Sequence, residues 1–258
     1  MGKIYTLIIV VMMTFVTSCA KDSGIDSGSF SEGKGGSMAR FCIAGDFLFT
    51  VDQNNLNTFE ISDPKDPVLY KGRTQDLGFG IETIFPMDSL LFIGTQIGMY
   101  IYRITNRGFT QYLSHTEHIR SCDPVVAQGD YAYITLNSNN VGCGRISNVL
   151  QIYDITDLQH PIFIREIPGF TSPMGLGIDG DKLFVCDNGL KVYDITNRTL
   201  PEQIDDLHSA GLHDVEGAYD VITNDGFLIL VAASGIYQLD YTGETLRLLS
   251  KIDVKLKK

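Results

Sequence analysis

From about residue 38 onward, apolar runs of five to seven residues recur, each announced by a tight polar turn. Gly45-Asp46 precedes Phe47-Leu48-Phe49, and Asp88-Ser89 precedes Leu90-Leu91-Phe92. Gly129-Asp130 precedes Tyr131-Ala132-Tyr133, Gly180-Asp181 precedes Lys182-Leu183-Phe184, and Asn224-Asp225-Gly226 precedes Phe227-Leu228. Gly and Asp pairs of this kind close hairpins, because the backbone there must turn more sharply than most side chains allow. No stretch beyond the first residues sustains a helical period, so strands are expected throughout.

A second landmark keeps step with the first. QIYDITDLQHPIFI spans Gln151–Ile164, and KVYDITNRTLPEQI spans Lys191–Ile204. Looser copies are NTFEISDPKDPVLY (Asn57–Tyr70), YIYRITNRGFTQYL (Tyr100–Leu113) and GIYQLDYTGETLRL (Gly235–Leu248). The fourth position of the phrase falls at Glu60, Arg103, Asp154, Asp194 and Gln238, at spacings of 43, 51, 40 and 44 residues. Each copy reads as four strands. In the third copy these are strand A over Asp123–Gln128, B over Tyr131–Leu136, C over Leu150–Ile155 and D over Ile162–Ile167. The Thr-Asp and Thr-Asn pairs suit the C–D turn, and Pro67, Pro161 and Pro201 stand where strand D begins and a missing N–H does little harm.

Four strands repeated every 40–45 residues is the pattern of a β-propeller blade. The expected fold class is all-β, with five four-stranded blades over about 38–80, 81–121, 122–172, 173–215 and 216–258. The phrase also resembles the LVIVD repeat of bacterial surface proteins. Copies three and four carry it closely; copy one has Phe59-Glu60, copy two has Arg103 and no proline, and copy five keeps only the apolar frame. That resemblance implies a propeller on a cell surface and brings no catalytic residue onto this chain.

The start of the chain reads differently. Lys3 and the apolar run Ile4–Val16 form a leader too short for a membrane span, and the leader ends in Val16-Thr17-Ser18-Cys19. This resembles a lipoprotein box, which implies a signal peptide over 1–18 and a lipid on Cys19. Residues 19–37 are rich in Gly, Ser and Asp and are expected to be a flexible tether. The chain is therefore expected in the bacterial envelope, on the outer membrane. Its formal charge is −11. Removing 1–18 takes away only Lys3, a positive charge, and the one basic cluster, Lys251–Lys258, reads as a solvated terminus, so nucleic acid is not expected as a partner.

Propeller topology places the D–A and B–C loops on one face and the A–B and C–D turns on the other. The repeated phrase then belongs to a uniform face, and variable residues gather on the opposite one. Cys122 and Cys143 both fall on the variable face of blade three, where a disulfide would close a loop of roughly 20 residues and contribute about 3 kcal/mol. Cys42 and Cys186 read as small buried apolar residues. His115 and His118, with Arg120 and Asp123, lie between blades two and three. His208 and His213, with Asp214 and Glu216, lie between blades four and five. Gln75, Glu82 and Ser172 come from the remaining loops.

These residues are expected around the mouth of the axial channel, where they form a binding site without a cofactor. The expected function is a non-enzymatic binding or scaffold protein for a glycan, peptide or surface protein. The alternative is a metal-dependent hydrolase or lyase whose divalent metal is held by His115, His118, His208 and His213. Other motifs carry little. Gly78-Phe79-Gly80 opens no helix, Asp22–Gly28 lacks a calcium loop's bidentate glutamate, and no G-x-S-x-G occurs.

Overall fold

The computed structural model describes residues 32–33, 35–70, 75–78, 80–105, 107–117, 124–138, 148–213 and 215–254. Every regular element among them is a strand, and the strands form five antiparallel sheets in chain order, the blades of a β-propeller.

Blade one holds β1 (Glu32–Gly33), β2 (Phe41–Ala44), β3 (Phe47–Val51) and β4 (Asn55–Glu60), with an outer edge in two pieces, β5 (Val68–Leu69) and β6 (Gln75–Asp76). Blade two is β7 (Ile81–Met87), β8 (Leu90–Thr95), β9 (Gly98–Ile104) and β10 (Thr110–Glu117). Blade three is β11 (Val125–Gln128), β12 (Tyr131–Leu136), β13 (Val149–Asp154) and β14 (Ile162–Ile167). Blade four is β15 (Pro173–Asp179), β16 (Lys182–Asp187), β17 (Leu190–Asp194) and β18 (Glu202–Asp206). Blade five is β19 (Ala218–Asn224), β20 (Phe227–Ala232), β21 (Gly235–Asp240) and β22 (Arg247–Asp253). The inner strands β2, β7, β11, β15 and β19 adjoin in that order around the axis.

The repeated phrase is a device for joining two turns. In every blade the residue that ends strand C donates its N–H to the carbonyl of the A–B turn: Ile61 to Asp46, Ile104 to Ser89, Ile155 to Asp130, Ile195 to Asp181 and Tyr241 to Gly226, at 2.7–2.9 Å. The preceding acid then accepts the N–H of the next Thr, as Asp154 does from Thr156 at 2.8 Å and Asp194 from Thr196 at 2.7 Å. Those bonds to Thr156 and Thr196 hold both carboxyls below the usual carboxylate range.

The same bonds correct the alignment of the fifth copy. Asp240 accepts from Thr242 at 2.8 Å and pairs with Phe227 across β20 and β21, as Asp194 pairs with Lys182. Asp240, not Gln238, therefore occupies the place of Asp154. A bulge at the C–D pairing recurs in blades two to five, at Tyr112/Ser114, Ile152/Tyr153, Val192/Tyr193 and Gln238/Leu239. Such bulges add twist, which a blade needs to fan outward.

Apolar side chains pack between blades. Four buried clusters join blades one and two, two and three, three and four, and four and five. In the middle blades β8, β12 and β16 are buried on both faces or nearly so, whereas β3 and β20 alternate buried and half-buried positions. Phe49 and Val51 of β3 turn toward blade two, and Leu228 and Leu230 of β20 turn toward blade four. Among the described residues no buried cluster joins blade five to blade one. Cys42 and Cys186 are buried, at 3% and 0% exposure, in the first and fourth of the blades as expected for small core residues.

Blades four and five approach unusually closely. A Cβ on Gly175 would overlap the Asp220 carboxylate and the Tyr219 carbonyl, and one on Gly177 would press on Thr223 and Val221. Gly175→Val should therefore lower the unfolding free energy by about 1–3 kcal/mol, read as a lower urea midpoint at unchanged slope. Gly243→Ala, where a Cβ meets nothing nearer than 3.7 Å, should leave the midpoint in place.

Candidate functional site

The axial channel is occupied by the protein's own N-terminal segment. β1 pairs with β2 on its inner side, Glu32 with Ala44 and Gly33 with Ile43. The chain thus rises from the uniform face, turns at Gly36–Ala39 with an N–H···O bond of 3.0 Å, and descends along β2. Glu32–Gly33 and Gly35–Ser37, within the stretch expected as tether, are part of the fold.

This turn touches three other blades. Ser37, fully buried, accepts the Leu176 N–H on its Oγ at 2.6 Å and faces Asp220 Oδ1 at 3.4 Å. Met38 donates its N–H to Asp220 Oδ2 at 3.3 Å. Ala39 O accepts from Ile84 N at 2.9 Å, and Arg40 donates to Ile81 O at 3.2 Å. Gly36 is required, since a Cβ there would overlap the Asp220 carboxylate. The variable end of the channel is therefore closed at its centre.

The described members of the sequence-expected site occupy several separate places. Gln75 donates to Thr110 O and Oγ1 at 2.6 and 2.7 Å, and Glu82 accepts from Gln96 at 3.3 Å. Ser172 donates its N–H to Asp187 at 2.6 Å, and its hydroxyl accepts from Asn137 at 3.2 Å. His208 and His213 do come together, with ring centroids 5.2 Å apart and Asp206 on His208 Nδ1 at 2.9 Å. Glu216 is exposed nearby.

His115 stands two blades away, on the outermost strand of blade two. It meets Tyr112 Oη at 2.7 Å and Glu117 at 3.4 Å, and stacks on Tyr100 at 5.4 Å. Of the four expected histidines, His115 thus lies apart from the His208–His213 pair. Among the described residues no three His, Cys, Asp or Glu side chains converge as a metal site. His118, Arg120, Asp123 and Asp214 lie outside the described residues, as do Cys19 and the expected Cys122–Cys143 pair. His160 sits on the uniform face against Asp157 at 2.9 Å.

Three features were not anticipated. Asp187, with its side chain 1% exposed, gathers the N–H groups of Thr171 and Ser172 and the Lys191 ammonium at 2.7 Å, and so fixes the loop between blades three and four. Asp220 anchors the axial turn. The third is an open groove of about 390 Å³ on the outer wall between blades two and three, lined by His115, Glu117, Gln151, Tyr153, Pro161 and Phe163. The Gly-Leu-Gly of 175–177 was the available signal for close approach at Asp220. The groove left no signal, because it joins outward residues from strands far apart in sequence.

Two stretches match the LVIVD repeat family model, residues 35–74 and 119–167. The chain carries the LVIVD repeat in these two stretches. The first match begins inside the axial turn. No curated protein matches the LVIVD chain.

Among solved structures, a protein from Lactobacillus plantarum is similar over 82% of this chain and 69% of its own, at 16% identity and a TM-score of 0.62. A functionally unknown protein from Desulfotomaculum acetoxidans is similar over 88% and 70%, at 12% identity and a TM-score of 0.62. Apo AztD from Citrobacter koseri is similar over 79% and 59%, at 16% identity and a TM-score of 0.56. At such identities the likeness concerns the fold alone.

Burial raises the Asp220 carboxyl to about 6, against the N–H bonds from Val221 and Met38 that favour its charge. The folded protein then holds this proton more tightly than the unfolded chain, whose ordinary value is 3.8. Stability from this group is greatest below pH ~4 and is lost as pH rises through about 6, by about 3 kcal/mol in all. Asp220→Asn should flatten that window in the difference between the two unfolding curves. An unchanged pH profile would show that the carboxyl is not buried in this way.

Proposed function

We propose that this LVIVD propeller is a lipid-tethered binding protein of the bacterial outer membrane, not an enzyme, and that it holds a neutral glycan in the groove between blades two and three. The groove carries the reading. Phe163 is 48% exposed and edges against Tyr153 at 5.6 Å, while Tyr112 is 48% exposed beside His115. Exposed rings of this kind offer flat apolar faces, the surface that the C–H face of a sugar needs. Planar polar groups stand beside them: Gln151, which accepts from Tyr153 Oη at 3.0 Å, Glu117, and the His115 imidazole. A pyranose offers an apolar face and a polar edge, and this groove has a counterpart for each. No Lys or Arg is among its described lining residues, which disfavours phosphate or sulfate.

The tether supports the same reading. Glu32 lies at the uniform-face end of the axis, so a lipid on Cys19 would hold that face nearest the membrane and leave the outer wall accessible. The short leader, Cys19 and the polar stretch after it are the features expected of such an anchor.

On an array of neutral glycans, the purified protein should retain a defined subset. Phe163→Ala should weaken retention about tenfold, the loss of one stacked ring, with no change in melting temperature, and His208→Ala should leave retention intact. Retention of no glycan, or retention unaffected by Phe163→Ala, would overturn the assignment. In the producing cell, the mature chain should carry diacylglycerol on Cys19, seen as palmitate label that Cys19→Ala abolishes. An unlabelled chain would remove the anchor from the proposal.

A further inference from the structure

The outermost strand of a propeller blade shows a row of unpaired N–H and C=O groups, a template for another strand. Among the described residues β22 pairs with β21 on one side and with no strand on the other. All seven residues of β22 are exposed, whereas β10, β14 and β18 each have some partly buried. β5 is exposed as well but has only two residues. Ile252 of β22 is 63% exposed, and Leu249 and the following Val254 are each 43% exposed. We propose that β22 is a dimer edge, which pairs antiparallel with β22 of a second copy of this chain about a two-fold axis at Ile252.

The register follows from which residues share a face. Ser250 and Ile252 stand opposite Gln238 and Ile236 of β21, on one face of the blade. Lys251 and Asp253 stand opposite Tyr237 and Gly235, on the other. Directly opposed residues of an antiparallel pair lie on the same face, so the two-fold axis must pass a residue and not the space between two. The register shift at Gln238/Leu239 breaks the strand before Ser250, which leaves the residues after it as candidate centres. An axis at Lys251 would set two ammonium groups opposite each other, and one at Asp253 would set two carboxylates so; both are repulsive. An axis at Ile252 places Lys251 of each copy opposite Asp253 of the other, Ser250 opposite Val254, and the two Ile252 side chains together.

A lysine on an edge strand commonly guards it against pairing. Here Lys251 is already neutralised by Asp253 of its own copy, at 2.7 Å. The two-fold pairing sets two such pairs side by side with their signs alternating, so the guard becomes an attraction. β18 differs: it carries Glu202, Asp205 and Asp206 with no basic residue, and a second copy of it would be repelled. The paired run is short of the ~1,200 Å² of a lasting interface, so the dimer is a weak one that forms where copies are crowded. It uses blade five and leaves the groove between blades two and three free, so it goes beyond the glycan reading and fails or holds independently of it.

Sedimentation equilibrium of the purified protein should show reversible dimerisation in the micromolar-to-millimolar range. Lys251→Asp and Asp253→Lys should each raise the dissociation constant about tenfold, since two exposed pairs turn from attraction to repulsion. The double variant K251D/D253K restores opposite signs and should return to within about threefold of the parent. Both side chains are exposed, so all three variants should melt near the parent. Ile252→Cys should form an interchain disulfide on oxidation, because opposed Cα atoms lie about 4.5–5.5 Å apart, within a disulfide's reach. A chain that stays monomeric to millimolar concentration, a dimer indifferent to the single charge changes, or a double variant no tighter than the singles would overturn the proposal. Failure of Ile252→Cys to link two chains through position 252 would overturn it as well.

Discussion

A buried turn of four residues ties the ends of this ring together. Blades one to five are joined in series by apolar clusters, and each cluster belongs to neighbours in sequence. What links the first blade to the fifth is polar and narrow: the Ser37 hydroxyl and the Met38 N–H at the Asp220 carboxylate. Ser37 also takes the Leu176 N–H, so the same hydroxyl reaches blade four. These groups have left water and depend on one another, which makes a small set of bonds matter more than its number suggests. The half-buried faces of β3 and β20 are the consequence, since the ring is held at its axis more than at its last seam.

Closing the axis decides where a ligand can go. Access to the channel from the variable face is stopped at the centre by the turn, and a cup of about 240 Å³ lined by Gly35, Phe85, Met87, Leu176 and Val221 lies on the uniform side. Of the described histidines, His208 and His213 lie together with Asp206 on His208, and His115 lies on another blade against Tyr112. The cup is one concave surface of the described residues and the outer groove is another.

The five blades were legible because the turns that build them are chemically demanding. Gly-Asp at the A–B turn recurs in blades one, three and four and Asp-x-Thr at the C–D turn in blades three, four and five, and the main-chain bond that joins the two turns is present in all five. The fifth copy was misaligned by two residues because its apolar frame resembles the others in either register. Only the Asp240–Thr242 bond fixes it. The axial turn was illegible for a different reason. Gly35-Gly36-Ser37 reads as linker by composition, yet Gly36 is small because it lies against Asp220, not because the chain is loose. The placement of His115 was not legible because loop membership in sequence does not say which side of a blade a residue faces. His115 turns out to belong to an outer strand, stacked on Tyr100.

Native-state hydrogen exchange on Gly36→Val tests the closure most directly, because the new side chain displaces the turn from Asp220 without altering any strand. If the turn closes the ring, amides of β19–β22 and β2 lose protection first, while those of β8, β12 and β16 keep theirs. Equal loss across all five blades, or full protection of blade five in the variant, would contradict the closure and leave the apolar clusters as the sole support of the ring.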